Sequence, residues 1–400
     1  MRKLSKAKLK ENIIKNLRRD LEERNIGGAD IAVWQDGELL FRATEGYADI
    51  DKKIPLTEDS LFRLASMTKP VTAVAAMIGV ERGYFGLSDD MAKHFPELSD
   101  MRVGREENGE VVPDRKPKKP LKLYQFLSNT SGYMGASPLF ELTENKIPAE
   151  AYESKSKMAE WCLKNTSFTY EPGECIAYCP YQAYDLIALL IERYSGESYE
   201  KFIADNIFAP LGINDITYTP SPSQWERLVK LTDKTVGGII TVDIGKHTFE
   251  SFPLTYASAG AGLVGTLNDY YLFASMLLNG GELDGARIIS PESVSLMTKW
   301  WVPEELIAPD AGAAWGLGVM VRGPGYPLTE HGRSQTPMGG EAILPRGSFG
   351  WSGAYGTHFW VDPDNKVIGI YMKNSRWHDS HGSGKTGKDF ERAVAASFED

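Results

Sequence analysis

Through the charged N-terminal text MRKLSKAKLKENIIKNLRRDLEERN, apolar residues recur at every fourth position, Leu9, Ile13, Leu17 and Leu21. That spacing predicts an amphipathic helix packed on the body of the protein. The period then changes: Ile31–Trp34 and Glu38–Ala43 read as strands flanking Asp36-Gly37, a dipeptide suited to the positive φ angles of a tight hairpin, and the second strand runs on toward Tyr47. Leu61 to Ala65 is a short extended run. From Ser66 onward small apolar residues follow helical spacing (Val71, Val74, Ala75, Ile78), and Gly83 closes the pattern. Residues 101–120, MRVGREENGEVVPDRKPKKP, are polar, charged and rich in Pro and Gly, and read as a surface excursion or short hairpin, since helical text resumes beyond them.

From Leu121 to about Leu211 the pattern is helical with loops, and includes LKLYQFLSNTSG, MAEWCLKN and the apolar AYDLIALLIERYSG, which ends on Gly196. Thr266 with Asp269 reads as a capping pair opening LNDYYLFASMLLNGG, and Ser290-Pro291 opens another helix. Past residue 310 the runs WGLGVMV, GAYGTHFWV and KVIGIYMKN are strand-like, the last two joined by the turn cluster Asp362-Pro363-Asp364-Asn365, and KDFERAVAASF is a final helix. Strands at both ends enclosing helices predict an α+β fold: one antiparallel sheet built from both termini, with a mainly helical region inserted. The expected division is 1–90 with 305–400 for the sheet-bearing domain and 91–304 for the helical one, the active site lying between them.

Composition narrows the classes. With 400 residues, 42% hydrophobic and 24% charged, the chain has the make-up of an ordinary globular protein with ample core. A formal net charge of −10 argues against a nucleic-acid partner. Cys162, Cys175 and Cys179 make neither a disulfide framework nor, with the histidines, a metal-site spacing, so a reducing compartment is expected, with no metal and no cofactor. The N-terminus lacks a signal-peptide core, and its basic residues are interspersed with Glu11, Asp20, Glu22 and Glu23, which disfavours a membrane-surface helix. No apolar run is long enough to span a bilayer, and the expected location is cytoplasmic. Oligomeric state is not legible.

The candidate chemistry centres on Ser66 and Lys69. The helix that begins here carries free N–H groups and a positive dipole end at its start, where developing negative charge is favoured. Lys69, three residues on, lies on the same face, and a desolvated neutral lysine can take the proton of a serine hydroxyl. The spacing S-x-x-K also occurs at Ser5/Lys8 and Ser154/Lys157, both in charged, solvated text. A second proton-handling group is needed, and Tyr178 in EPGECIAYCPYQAYDLIALL, between a Pro-Gly turn and an apolar helix, is the best candidate. An oxyanion hole needs two donors: the Ser66 N–H can be one, and GWSGAYGTHFWV, with Gly350, Gly353 and Gly356, suits the other. Lys385-Thr386-Gly387 lies just before the last helix and is no phosphate loop, His378 and His381 sit in a polar loop, and no G-x-S-x-G elbow exists.

Taken in order, LFRLASMTKPVTAVA, LKLYQFLSNTSGY, EPGECIAYCP, ASAGAGLVGTLNDYYLFASMLLNGGELDGARIISPESV, WGLGVMV and FGWSGAYGTHFWVDP resemble the serine β-lactamase/penicillin-binding family. The likeness is to its class C branch, with the D,D-peptidases and family VIII carboxylesterases, over roughly residues 25–375. It implies that Ser66 is the acylated nucleophile and that Lys69 and Tyr178 share the base role. It also implies that Trp351-Ser352-Gly353 forms the third motif and that the Ala354 N–H is the second oxyanion donor. Two positions depart from the family pattern. Pro180 replaces an asparagine whose amide would bind an acyl amide, and Trp351 replaces a cation that would pair with a substrate carboxylate, as in many family VIII esterases. Both changes remove polar recognition and add apolar surface, with Tyr355 also available to pack on substrate. The expected activity is therefore acyl-enzyme hydrolysis of small neutral esters. The alternatives are an amidase or D-aminopeptidase, an acyltransferase or weak β-lactamase on the same site, or an inactive ligand-binding relative.

Overall fold

Both ends of the chain meet in one sheet. The computed structural model describes all residues except 24, 243–255, 307–310, 327–342, 377–384 and 400. The sheet's strands are β1 (Gly28–Gln35), β2 (Glu38–Asp49), β3 (Ile54–Pro55), β4 (Ala311–Trp315), β5 (Met320–Tyr326), β6 (Phe349–Ser352), β7 (His358–Asp362) and β8 (Val367–Met372). They lie in the order β4-β5-β6-β7-β8-β1-β2-β3, each antiparallel to its neighbours. The hairpin between β1 and β2 turns at Asp36 (φ 51°) and Gly37 (φ 81°), the left-handed pair that the sequence suggests. All of β1 is buried, because the sheet is covered on both faces.

On one face, Ile31 and Val33 pack against α1 (Lys6–Glu22), through Leu9, Ile13 and Leu17, and against the C-terminal helix Lys385–Ala395, through Phe390 and Val394. On the other, Ala32 and Trp34 join a core with the helical region. Its central member, α2 (Thr68–Glu81), is apolar all round and buried from Thr68 to Gly79, as a helix enclosed on every side must be. It packs beside α3 (Gln182–Ser195), which ends on Gly196 in the left-handed conformation (φ 75°). Trp34 stacks on Tyr271 of α4 (Leu267–Leu278), with ring centroids 4.1 Å apart.

Residues 101–120 contain a short hairpin, as the sequence suggests, Val103–Glu107 paired with Glu110–Arg115. Other expectations need adjusting. WGLGVMV is not one strand: it is the turn joining β4 to β5, folded at Gly318 (φ 75°), whose N–H donates to Leu127 O at 2.9 Å. Thr266 caps α4 as expected, but Asp269 does not reach back to it, and accepts instead from the N–H groups of Asn214 and Asp215. Lys385-Thr386-Gly387 is the first turn of the C-terminal helix rather than a loop before it. His378 and His381 lie outside the described residues.

Candidate active site

Ser66 is presented by a kink. Ala65 adopts φ 45°, a conformation that strains a non-glycine residue by about 1–3 kcal/mol. Ala65–Met67 then form a single 3-10 turn before α2 starts at Thr68, so Ser66 sits ahead of the α-helix rather than within it. The flanking backbone holds the kink: Leu64 N–H donates to Leu263 O (2.9 Å), and Leu64 O accepts from Thr357 Oγ1 (3.1 Å). Lys69, in the first turn of α2, is wholly buried. Its Nζ lies 3.4 Å from Ser66 Oγ and donates to Gly260 O (2.9 Å) and to Pro180 O. With two positions on the nitrogen committed to carbonyls, the remaining one is directed at Ser66. The Tyr178 and Tyr184 rings lie 4.8 and 5.0 Å from the same nitrogen.

Tyr178 Oη donates to Ser66 Oγ at 2.6 Å. Its loop is held at three points: Ala136 N–H donates to Tyr178 O (2.8 Å), Ala177 N–H to Asn129 O (2.8 Å), and Cys179 N–H to Asn129 Oδ1 (3.1 Å). Asn129, buried and left-handed (φ 54°), thus braces the tyrosine loop on both sides, a role sequence reasoning missed. The turn-rich text SNTSG was the available signal, since asparagine tolerates positive φ while its amide bonds nearby backbone. Burial pushes the neighbouring Cys179 thiol up to about 12, so it stays protonated and is no rival nucleophile.

The third-motif residues divide. Trp351 faces the tyrosine: its ring centroid lies 5.7 Å from Tyr178 and 4.3 Å from Trp315, making an aromatic wall beside Ser66. Ser352 is engaged elsewhere. Its Oγ is 2.9 Å from His358 Nδ1, whose Nε2 is 3.1 Å from Glu391 Oε1, and Arg322 donates to the same carboxylate. Burial raises the Glu391 carboxyl, but Arg322 and His358 outweigh it and hold the group below its ordinary range. Ser352 is therefore tied to the C-terminal helix rather than joined to Ser66. At Gly353 any Cβ would collide with Leu64 O and Thr357 Oγ1, so glycine is what lets the β6–β7 turn lie against the Ser66 kink. Ala354 is exposed and Tyr355 half-buried in that turn, and no acceptor among the described residues takes the N–H of Ser66 or Ala354. Pro180 contributes a carbonyl to Lys69 and no side-chain amide. No cluster of metal-ligating side chains occurs among the described residues, and no described helix is long and apolar enough to cross a membrane.

A family model described as beta-lactamase matches residues 13–389. The chain belongs to the beta-lactamase family. Protein Rv1367c of Mycobacterium tuberculosis is 30% identical over 357 residues, covering 87% of this chain and 85% of the relative. Esterase EstB of Burkholderia gladioli is 24% identical over 392 residues, covering 90% of this chain and 89% of the relative. Among solved structures, that of EstCE1, a hydrolase with promiscuous acyltransferase activity, superposes with a TM-score of 0.74 at 20% identity, over 98% of this chain and 99% of that one. At that identity the likeness shows the fold: a β-lactamase-family sheet of both termini with a helical insertion.

Proposed function

We propose that this β-lactamase-family chain is a serine hydrolase that cleaves small neutral carboxylic esters through an acyl-enzyme on Ser66, in the cleft between the sheet and the helical insertion. The observation that carries the reading is the convergence of Tyr178 Oη and Lys69 Nζ on one hydroxyl, at 2.6 and 3.4 Å. In acylation, Ser66 Oγ bonds to the ester carbon while its proton passes to the Tyr178/Lys69 pair. The carbonyl oxygen becomes an oxyanion held by the N–H groups of Ser66 and Ala354, where each donor is worth about 2.7–4 kcal/mol. The C–O bond to the alcohol then breaks, and the alkoxide takes the stored proton. A water repeats the sequence on the acyl-enzyme, gives its proton to the same pair and releases the acid. The named activity of EstB, an esterase, supports the same reaction class.

Specificity follows from what flanks the hydroxyl. A penicillin or cephalosporin would bury an amide and a carboxylate beside Pro180 and Trp351, which offer neither an amide donor nor a cation. Each unpaired buried polar group costs about 1–3 kcal/mol, more when charged. A short neutral ester makes neither demand and can lie on the wall of Trp351, Trp315 and Tyr178. The test is the ratio of kcat/KM for p-nitrophenyl butyrate to that for a chromogenic cephalosporin. We expect it to exceed one by orders of magnitude, and to fall when Pro180→Asn and Trp351→Lys are combined. A wild-type ratio near or below one would reject a neutral ester as the preferred substrate.

A further inference from the structure

Lys69 is oriented by groups that never touch Ser66. The loop 256–260 delivers Gly260 O to its Nζ, and one side chain fastens that loop to α3. Asp185, wholly buried in the first turn of α3, accepts from Tyr256 Oη, from Ser258 Oγ (3.2 Å) and from Ala259 N–H (2.8 Å). Ala259 O in turn accepts from Thr72 Oγ1 of α2 at 2.6 Å. The loop lies so close to the start of α3 that a Cβ at Gly260 would meet the backbone of Pro180 and Tyr181. Both carbonyls that hold the lysine, those of Pro180 and Gly260, are thus referred to the N-terminal end of one helix.

We infer that Asp185 is a positioning residue for ester cleavage: by anchoring residues 256–260 it fixes Gly260 O, and with it the direction in which Lys69 presents its nitrogen to Ser66. The inference rests on the serine-hydrolase reading above. The physical reason is directional. A tetrahedral nitrogen donating to two fixed carbonyls has its third position determined, whereas one donating to a single carbonyl can swing away from Ser66 Oγ. Displacements of the order of an ångström in a reacting constellation cost about 10²-fold in rate.

The anchor is also a titratable group. Burial pushes the Asp185 carboxyl up to about 6, and the donors Tyr256, Ala259 and Ser258, with the more distant cation Lys155, pull the other way. Lys155 is itself paired with Glu192 and Glu200. The other titratable groups that sense Asp185 are Tyr133, Cys162, Cys179, Tyr199, Tyr218 and Tyr256, and burial raises every one, so they stay neutral across the acid range. Protonation below about pH 6 turns the oxygen that faces Tyr256 into a donor, so that hydroxyl must reverse its role, and the bonds from Ala259 N–H and Ser258 Oγ lose their charge assistance, which weakens the clamp on the loop.

The test is Asp185→Asn in the full chain. Turnover of p-nitrophenyl butyrate should lose about 10- to 100-fold in kcat with KM within about twofold, and the acid limb of kcat near pH 6 should flatten. Labelling of Ser66 by a fluorophosphonate should slow by a similar factor, a readout that holds whatever the natural ester. Leu190→Ala, a core truncation on the same helix, supplies a destabilised control whose kcat should stay near wild type. If Asp185→Asn does not fold, Tyr256→Phe and Ser258→Ala, each removing one donor, should lower kcat without moving KM. A folded Asp185→Asn, or both single-donor variants, with wild-type kcat and labelling rate would overturn the inference. So would an equal loss in Leu190→Ala. A wild-type protein that labels at Ser66 but turns over no ester would instead reject the esterase reading, and the labelling rates would still decide the role of Asp185.

Discussion

Ser66 precedes a lysine by three positions, and so do Ser5, Ser154 and Ser198 (itself a helix cap accepting from Lys201 N–H), yet the hydroxyls are used in opposite ways. Ser5 and Ser154 are helix caps: their Oγ atoms accept from the N–H groups of Lys8 (3.4 Å) and Lys157 (3.1 Å), and both lysines are exposed and turned to other partners, Lys8 Nζ to Phe398 O (3.4 Å) and Lys157 to Glu153. Ser66 is barred from that duty. The kink at Ala65 and the 3-10 turn place it ahead of α2, and no side chain caps that helix at Met67. Its hydroxyl is left for Tyr178 and the buried Lys69. Serine before a helix is a capping residue by default. Here a reactive one results from denying it the cap and burying the lysine.

The comparison breaks most plainly with alanine. Ser66→Ala should lower kcat/KM for p-nitrophenyl butyrate by on the order of 10⁴-fold or more with the fold intact, as loss of a nucleophile does. Ser154→Ala should leave it unchanged, and similar losses in the two would erase the distinction. Lys69→Arg should follow, with a loss of about 10²–10⁴-fold, because a guanidinium keeps charge but does not shuttle a proton. Lys157→Arg, exposed beside Glu153, should match wild type in the same assay.

A second buried lysine sharpens the contrast. Lys373 is as enclosed as Lys69 but serves no reacting group, and its Nζ donates only to Thr386 Oγ1, at 2.9 Å, among the hydrogen bonds described. Burial holds its amine well below the ordinary lysine value, against a smaller opposing pull from Asp20. The folded form therefore binds fewer protons than the unfolded one between that lowered value and 10.5. Its favourable contribution is complete above the unfolded value and is lost as pH falls through the folded one. Lys373→Met should therefore stabilise the protein at pH 7. The gain, read as a Tm difference, should shrink toward pH 10; a constant difference would mean that the amine titrates normally. The smallest effect belongs to the caps. Ser154→Ala should cost about 1 kcal/mol in denaturant unfolding with no change in kcat, and no measurable cost would show that the cap is redundant.

Much of this arrangement is legible in the sequence. The four-residue spacing of Leu9, Ile13 and Leu17 marks a helix on a sheet, and Asp36-Gly37 marks the turn that starts the sheet. WGLGVMV misleads because its turn is buried: Leu317 is wholly enclosed and a Cβ at Gly318 would press on Ala73 of α2, so the polar residues that usually announce a turn are missing. Alternation along β6 turns the Ser352 side chain away from Trp351, toward His358, a pairing across strands that the local text does not announce. Asn129 and Asp185 carry no sequence signal of what they hold, because it is backbone far away in the chain. A carbonyl such as Gly260 O leaves no trace in residue identity.

The most direct test of the central claim is the site of covalent attachment. A fluorophosphonate, or an ester whose acyl-enzyme is trapped by acid quench, should add one acyl or phosphonyl mass to the intact protein. Peptide mapping should place it on Ser66, and Ser66→Ala should abolish it while Ser5→Ala and Ser154→Ala leave it untouched. An adduct on another hydroxyl, Ser352 for example, or one that survives in Ser66→Ala, would contradict the account.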